Sequence, residues 1–118
     1  MTKTRNVILD KSFDFSLQVI NLYVILKNQK EFVLSKQTLR SGTSIGANVE
    51  EAIGAYSKRD FSAKMGIALK EARETRYWMR LLDKSQMVKL DYSSYLKDME
   101  ELVNILTAIV KTSQEGQK

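Results

Sequence analysis

The sequence predicts an all-α fold, an antiparallel up-down four-helix bundle, and three observations carry that expectation. The 118 residues include no proline, so nothing in the chain forbids long uninterrupted helices. Apolar residues recur at alternating three- and four-residue steps in separate stretches. The stretches are joined by short connections, which favour antiparallel neighbours. A chain of this length holds one core, so residues 1–118 are expected to form a single domain. With 43% hydrophobic and 28% charged residues, the balance is that of a folded chain and not of a disordered one.

The first helix is expected from about Ser12 to Asn28. A polar, basic lead-in over residues 1–11 precedes it, expected to be flexible like the tail over residues 114–118, with Val7, Ile8 and Leu9 as the part that would dock on the bundle. Phe13, Leu17, Ile20 and Val24 form one apolar stripe on this helix, and Phe15, Val19, Leu22 and Leu26 form a second. One antiparallel neighbour cannot cover so wide a surface, so the helix is either central or shared between subunits. Phe15, Val19 and Leu22, with Trp78 of the third helix, are the residues assigned to a subunit interface.

A second helix, near residues 35–54, is expected to open at Ser35 as N-cap, with Leu34 and Leu39 in the staple positions. It carries Gln37, Arg40, Ser44, Asn48 and Glu51 on one side, and Ile45, Val49 and Ile53 on another. Gly42 and Gly46 each weaken a helix by roughly 1 kcal/mol relative to alanine, which points to close packing or a kink. The third helix, near 57–84, has Ser57 as N-cap, Asp60 three residues on, and Tyr56 and Phe61 as the staple pair. Its seam runs Phe61, Met65, Ala68, Ala72, Thr75, Met79, Leu82, small in the middle, where a neighbour can approach closely. Asp91 caps a fourth helix, near 91–113, with Leu90 and Tyr95 as staple and a seam of Tyr95, Met99, Leu102, Leu106 and Ile109.

Histidine and cysteine are both absent. That excludes a Ser-His-Asp triad, a histidine base, thiolate chemistry, disulfides and the usual zinc and non-haem iron sites. Glu71 and Glu74 have the spacing of a carboxylate di-metal helix without the histidine such a site requires, so both are read as pairing with neighbours. No glycine-rich phosphate loop occurs. The expectation is a protein that is not an enzyme, with no cofactor and no metal. With neither an apolar signal core nor an 18-residue apolar run, it is expected in the cytoplasm and away from membranes.

Two polar patterns remain. Ser44, Asn48 and Glu51 share one side of the second helix, and with Glu74 or Arg73 opposite they would form a buried polar network that fixes helix register. A solvated helix face is the competing reading. Charge is the second pattern: the net value is +5, and Lys70, Arg73, Arg76, Arg80 and Lys84 cluster along one flank of the third helix. Such a flank is either solvated surface, half of a protein interface, or a footprint for a phosphate backbone. Arg76 and Arg80 repel each other at one-turn spacing unless an acid lies nearby.

Gln37, Arg40, Ser44-Ile45, Ala47-Asn48-Val49 and Glu51 are followed by Ser57-Lys58-Arg59-Asp60-Phe61, Lys64, Ala68-Leu69-Lys70-Glu71, Glu74-Thr75 and Tyr77-Trp78. This pattern resembles the small bacterial four-helix bundle family first noticed as products of intervening sequences in large-subunit ribosomal RNA genes. The resemblance covers nearly the whole chain. It departs at Gly46, where many members have proline, and at Ala52, where many have glycine. Relatives of that family include the accessory protein of diversity-generating retroelements, which works beside a reverse transcriptase. The resemblance implies four-helix protomers assembled in ring-shaped pentamers. Two functions are therefore expected to compete. One is an oligomeric accessory protein that binds RNA or DNA beside a reverse transcriptase or other nucleic-acid-processing protein. The other is a structural or regulatory scaffold whose basic flank meets an acidic protein.

Overall fold

A computed structural model describes the backbone of residues 3–116 and the side chains of residues 7–116. Four helices follow in order: α1, Lys3–Asn28; α2, Leu34–Ile53; α3, Lys58–Ser85; and α4, Ser93–Glu115. No strand occurs among the described residues. Each helix packs on its chain neighbour, and α1 closes the square against α4 through the thinnest of the four contacts. The bundle measures 47 × 22 × 21 Å, about one long helix in length and two in width.

Cross-helix partners fix the directions. Ser41 meets Thr75 while Glu51 meets Lys64, so α2 and α3 run oppositely. Arg76 meets Glu100 and Ser62 meets Ser113, which makes α3 and α4 antiparallel. Lys11 pairs with Glu101 while Asn21 pairs with Tyr95, giving the same relation between α1 and α4. The fold is the antiparallel up-down four-helix bundle.

The expected seam of α3 is inside: Met65, Ala68, Ala72, Thr75, Met79 and Leu82 are all buried, with Phe61 half-buried at one end. On α4, Met99, Leu102 and Leu106 are buried as expected. Helix α1 differs in two ways. It begins at Lys3, so the lead-in is helical over the described part, whereas Met1 and Thr2 lie outside the described residues, as do Gln117 and Lys118 of the tail. The reason is that the seam continues upstream at helical spacing through Ser12 and Ile8, both buried. Ile8 thus docks on the bundle as one of the three apolar residues of the lead-in, and does so as part of the helix. Ser12 satisfies its hydroxyl by donating to the Leu9 carbonyl oxygen at 3.3 Å.

The second difference concerns the two stripes. Phe15, Val19 and Leu22, assigned to a subunit interface, lie in the protomer core at 1%, 0% and 0% exposure. This corrects the assignment, because these side chains are spent on α2 and α4. Phe13, Leu17, Ile20 and Val24 face outward at 44–60% exposure.

Helix α2 starts differently from the capping expected at Ser35. Glu31 supplies the cap: its carboxylate accepts from the N–H groups of Val33, Leu34 and Ser35 at 3.1, 2.8 and 2.7 Å. The Ser35 hydroxyl instead donates to the Glu31 carbonyl oxygen at 2.8 Å. Burial pushes the Glu31 carboxyl up, but the three N–H groups together outweigh it and hold the group below the ordinary carboxylate range. For α3 the Ser57 hydroxyl accepts from the Asp60 N–H at 3.0 Å, as expected of an N-cap, whereas Tyr56 is fully exposed and staples nothing into the core. Asp91 accepts from both the hydroxyl and the N–H of Ser93 at the start of α4.

Candidate nucleic-acid interface

Because α3 packs only on α2 and α4, its third side is free, and helical spacing decides which residues stand there. Arg59, Lys70, Arg73, Tyr77, Arg80, Leu81 and Lys84 do, all exposed. Lys70 to Lys84 covers roughly 21 Å of helix axis, and the row from Arg59 covers roughly 38 Å. No acidic residue interrupts this side. Among the described residues, Arg59, Lys70, Arg73, Arg80 and Lys84 pair with no carboxylate.

Four of the five expected cations therefore share this face, and Arg76 does not. It turns toward α4, where Nη1 lies 3.3 and 3.4 Å from the two carboxylate oxygens of Glu100. Glu100 is thus the acid that relieves the Arg76–Arg80 repulsion. Arg59 escaped the sequence reading because it sits inside the capping run. Its spacing from Gly66, Lys70 and Tyr77 was the available signal.

Two acids of α3 lie on the flank facing α2. Glu71 and Glu74 both face Arg40, with Glu71 Oε2 at 3.5 Å from Arg40 Nη1 and Glu74 closer still. Trp78 is half-buried, and its Nε1–H donates to Glu74 Oε2 at 3.0 Å. Tyr77 packs edge-to-face on Trp78 with ring centroids 5.3 Å apart.

The expected network of Ser44, Asn48, Glu51 and Glu74 is not brought together. Asn48 Nδ2 donates to the carbonyl and hydroxyl oxygens of Ser44, both within α2, while exposed Glu51 faces Lys64 at 3.5 Å. The α2–α3 register explains the separation: Asn48 is level with Ile67, two turns or roughly 10 Å from Glu74. Register is instead keyed by Ser41 and Thr75, both buried, whose hydroxyl oxygens meet at 2.8 Å between helices. One of these hydroxyls donates to the other, leaving the second to bond its own helix backbone.

At the far end of the bundle a cavity of about 890 Å³ lies between the α2–α3 turn and the last turns of α4, lined by Ile53, Phe61, Ile105 and Ile109 among others. Its lining carries no carboxylate and so offers no acid–base pair. Among the described residues no helix is long and apolar enough to cross a membrane.

The fold and its basic face define a helical-bundle protein with an outward row of unpaired cations. Residues 4–108 match the model of the 23S rRNA-intervening sequence protein family, and the chain belongs to that family. It is also similar to a crystal structure of a protein of unknown function from the S23 ribosomal protein family of Bacteroides thetaiotaomicron. The two share 48% identity over 92% of this chain and 98% of that one, with a TM-score of 0.85. Among curated proteins no significant match is found.

Proposed function

We propose that this protein is a non-enzymatic, oligomeric accessory protein of the cytoplasm that binds RNA or DNA without reading sequence, through the outward face of α3. The supporting observation is the acid-free row of Arg59, Lys70, Arg73, Arg80 and Lys84. Unpaired cations spaced along a rigid rod neutralise phosphates and release condensed counterions, a source of affinity indifferent to base identity. Self-association multiplies it. The outward stripe Phe13, Leu17, Ile20 and Val24 has the spacing of a helix-packing seam, and a second copy is its occupant; five copies is the number the family resemblance implies. Repeating the basic row around such a ring gives avidity along one strand. A reverse-transcribing or other nucleic-acid-processing enzyme is the partner beside which such a protein would work.

Fluorescence anisotropy with several unrelated oligonucleotides over a salt series tests the reading. The wild type should bind all of them and weaken steeply as salt rises. Changing Arg73 and Arg80 together to glutamine should weaken every complex by a similar factor and flatten the salt dependence by about two phosphate contacts. Arg76→Gln should leave binding nearly intact, since that guanidinium belongs to Glu100. A wild type that fails to bind at low salt sinks the proposal, and a scaffold for an acidic protein partner then takes its place.

A further inference from the structure

Resting on that reading, we propose that Tyr77 is a base-stacking platform and that the preferred ligand is single-stranded nucleic acid. Tyr77 is 53% exposed in the middle of the cation row, one turn from Arg73 on one side and from Arg80 on the other. Its hydroxyl has no hydrogen-bond partner among the described residues. An aromatic in that position contributes nothing to phosphate neutralisation. It does offer a flat π surface with positive charge above and below it along the helix.

The ring is also held in place. Trp78 backs it edge-to-face, Glu74 fixes the indole N–H, and Arg40 of α2 fixes Glu74. A stacked base therefore meets a surface that is already ordered, which limits the entropy lost on binding. Duplex nucleic acid cannot use this surface, because its base faces are stacked inside and a convex helix presents only phosphates with something to bind. Unpaired bases can splay onto the ring while their flanking phosphates reach Arg73 and Arg80.

The test compares single strands and blunt duplexes of equal length, at low salt, with the full-length protein. Wild type should prefer the single strand. Tyr77→Ala should reduce single-strand affinity about tenfold with little change for the duplex, and Tyr77→Phe should retain it. The salt dependence should not change, because no charge is removed. If Tyr77→Ala leaves single-strand binding intact, or weakens both ligands alike, stacking is refuted while the loss caused by changing Arg73 and Arg80 still upholds the phosphate contact. If the substitution lowers the oligomer mass, Tyr77 belongs to a contact with a second copy, and the proposal falls. Absence of binding by wild type overturns both readings.

Discussion

An added Cβ at Gly42 would lie 2.8 Å from both γ-carbons of Val19, and Val19 is fully buried with a stiff, β-branched side chain that has nowhere to turn. Gly46 is nearly as confined, with Ser16 Oγ at 3.1 Å and the Ser12 carbonyl oxygen at 3.3 Å. The two glycines let α1 and α2 approach closely, which settles the choice between packing and a kink in an α2 that runs unbroken. Gly66 is different: nothing lies within 4 Å of the position its Cβ would take. Gly42→Ala should therefore destabilise the fold, since about 1–3 kcal/mol of overpacking exceeds the roughly 1 kcal/mol gained in helix propensity. Gly66→Ala should raise stability by about 0.5–1 kcal/mol, because only the propensity gain remains. Urea midpoints moving in opposite directions would bear this out; a common direction would not. The sequence shows that all three glycines weaken their helices, but only the partner across each contact separates them.

Among the elements, helix seams were legible and helix ends less so. A seam repeats over many residues, as Met65 to Leu82 does, whereas an end turns on one or two groups. Ser57 is a local cap and could be read directly, whereas the N-cap position of α4 falls on Tyr92 and Asp91, one residue outside it, holds only the N–H and hydroxyl of Ser93. Glu31 acts from outside its helix across three N–H groups, and no short pattern marks it. The ends of α1 and α3, expected at Asn28 and near residue 84 and found at Asn28 and Ser85, were legible from where the apolar seams stop, although the left-handed positions beyond them are Lys30, φ 66°, and Gln86, φ 49°, and not glycine. Removing the cap through Glu31→Ala should cost about 1–2 kcal/mol near neutral pH. The folded carboxyl titrates below its unfolded value. Its contribution is therefore full above the ordinary carboxylate range and is lost as pH falls through the folded pKa. The stability gap between wild type and variant should thus narrow on acidification, measured by denaturant unfolding at a series of pH values. A gap independent of pH would mean that Glu31 acts by packing alone.

At the scale of the molecule, α1 and α3 occupy diagonal corners of the square, so the outward apolar stripe and the basic face look in opposite directions. A helix with two apolar stripes is ambiguous in sequence, because periodicity gives their spacing but not which one the neighbours take. The α1–α2 crossing at Gly42 settles it by drawing Val19 inward and leaving Phe13, Leu17, Ile20 and Val24 to solvent. Subunit contact through that stripe can accordingly be separated from folding. Leu17→Lys with Ile20→Lys places charge on exposed positions, where the protomer core is untouched and the desolvation cost falls only on an assembled interface. Helical content and cooperative unfolding should persist, while light scattering should drop from a multiple of the chain mass to 13.5 kDa. Nucleic-acid affinity should fall with it, because the linked rows become separate, even though Arg73 and Arg80 remain in place. Val19→Lys is the contrasting variant: it buries a charge in the core and should unfold the protomer itself. If the double variant keeps its oligomer mass, the stripe is not the subunit contact; if it becomes monomeric but binds nucleic acid as tightly as before, the argument from avidity fails.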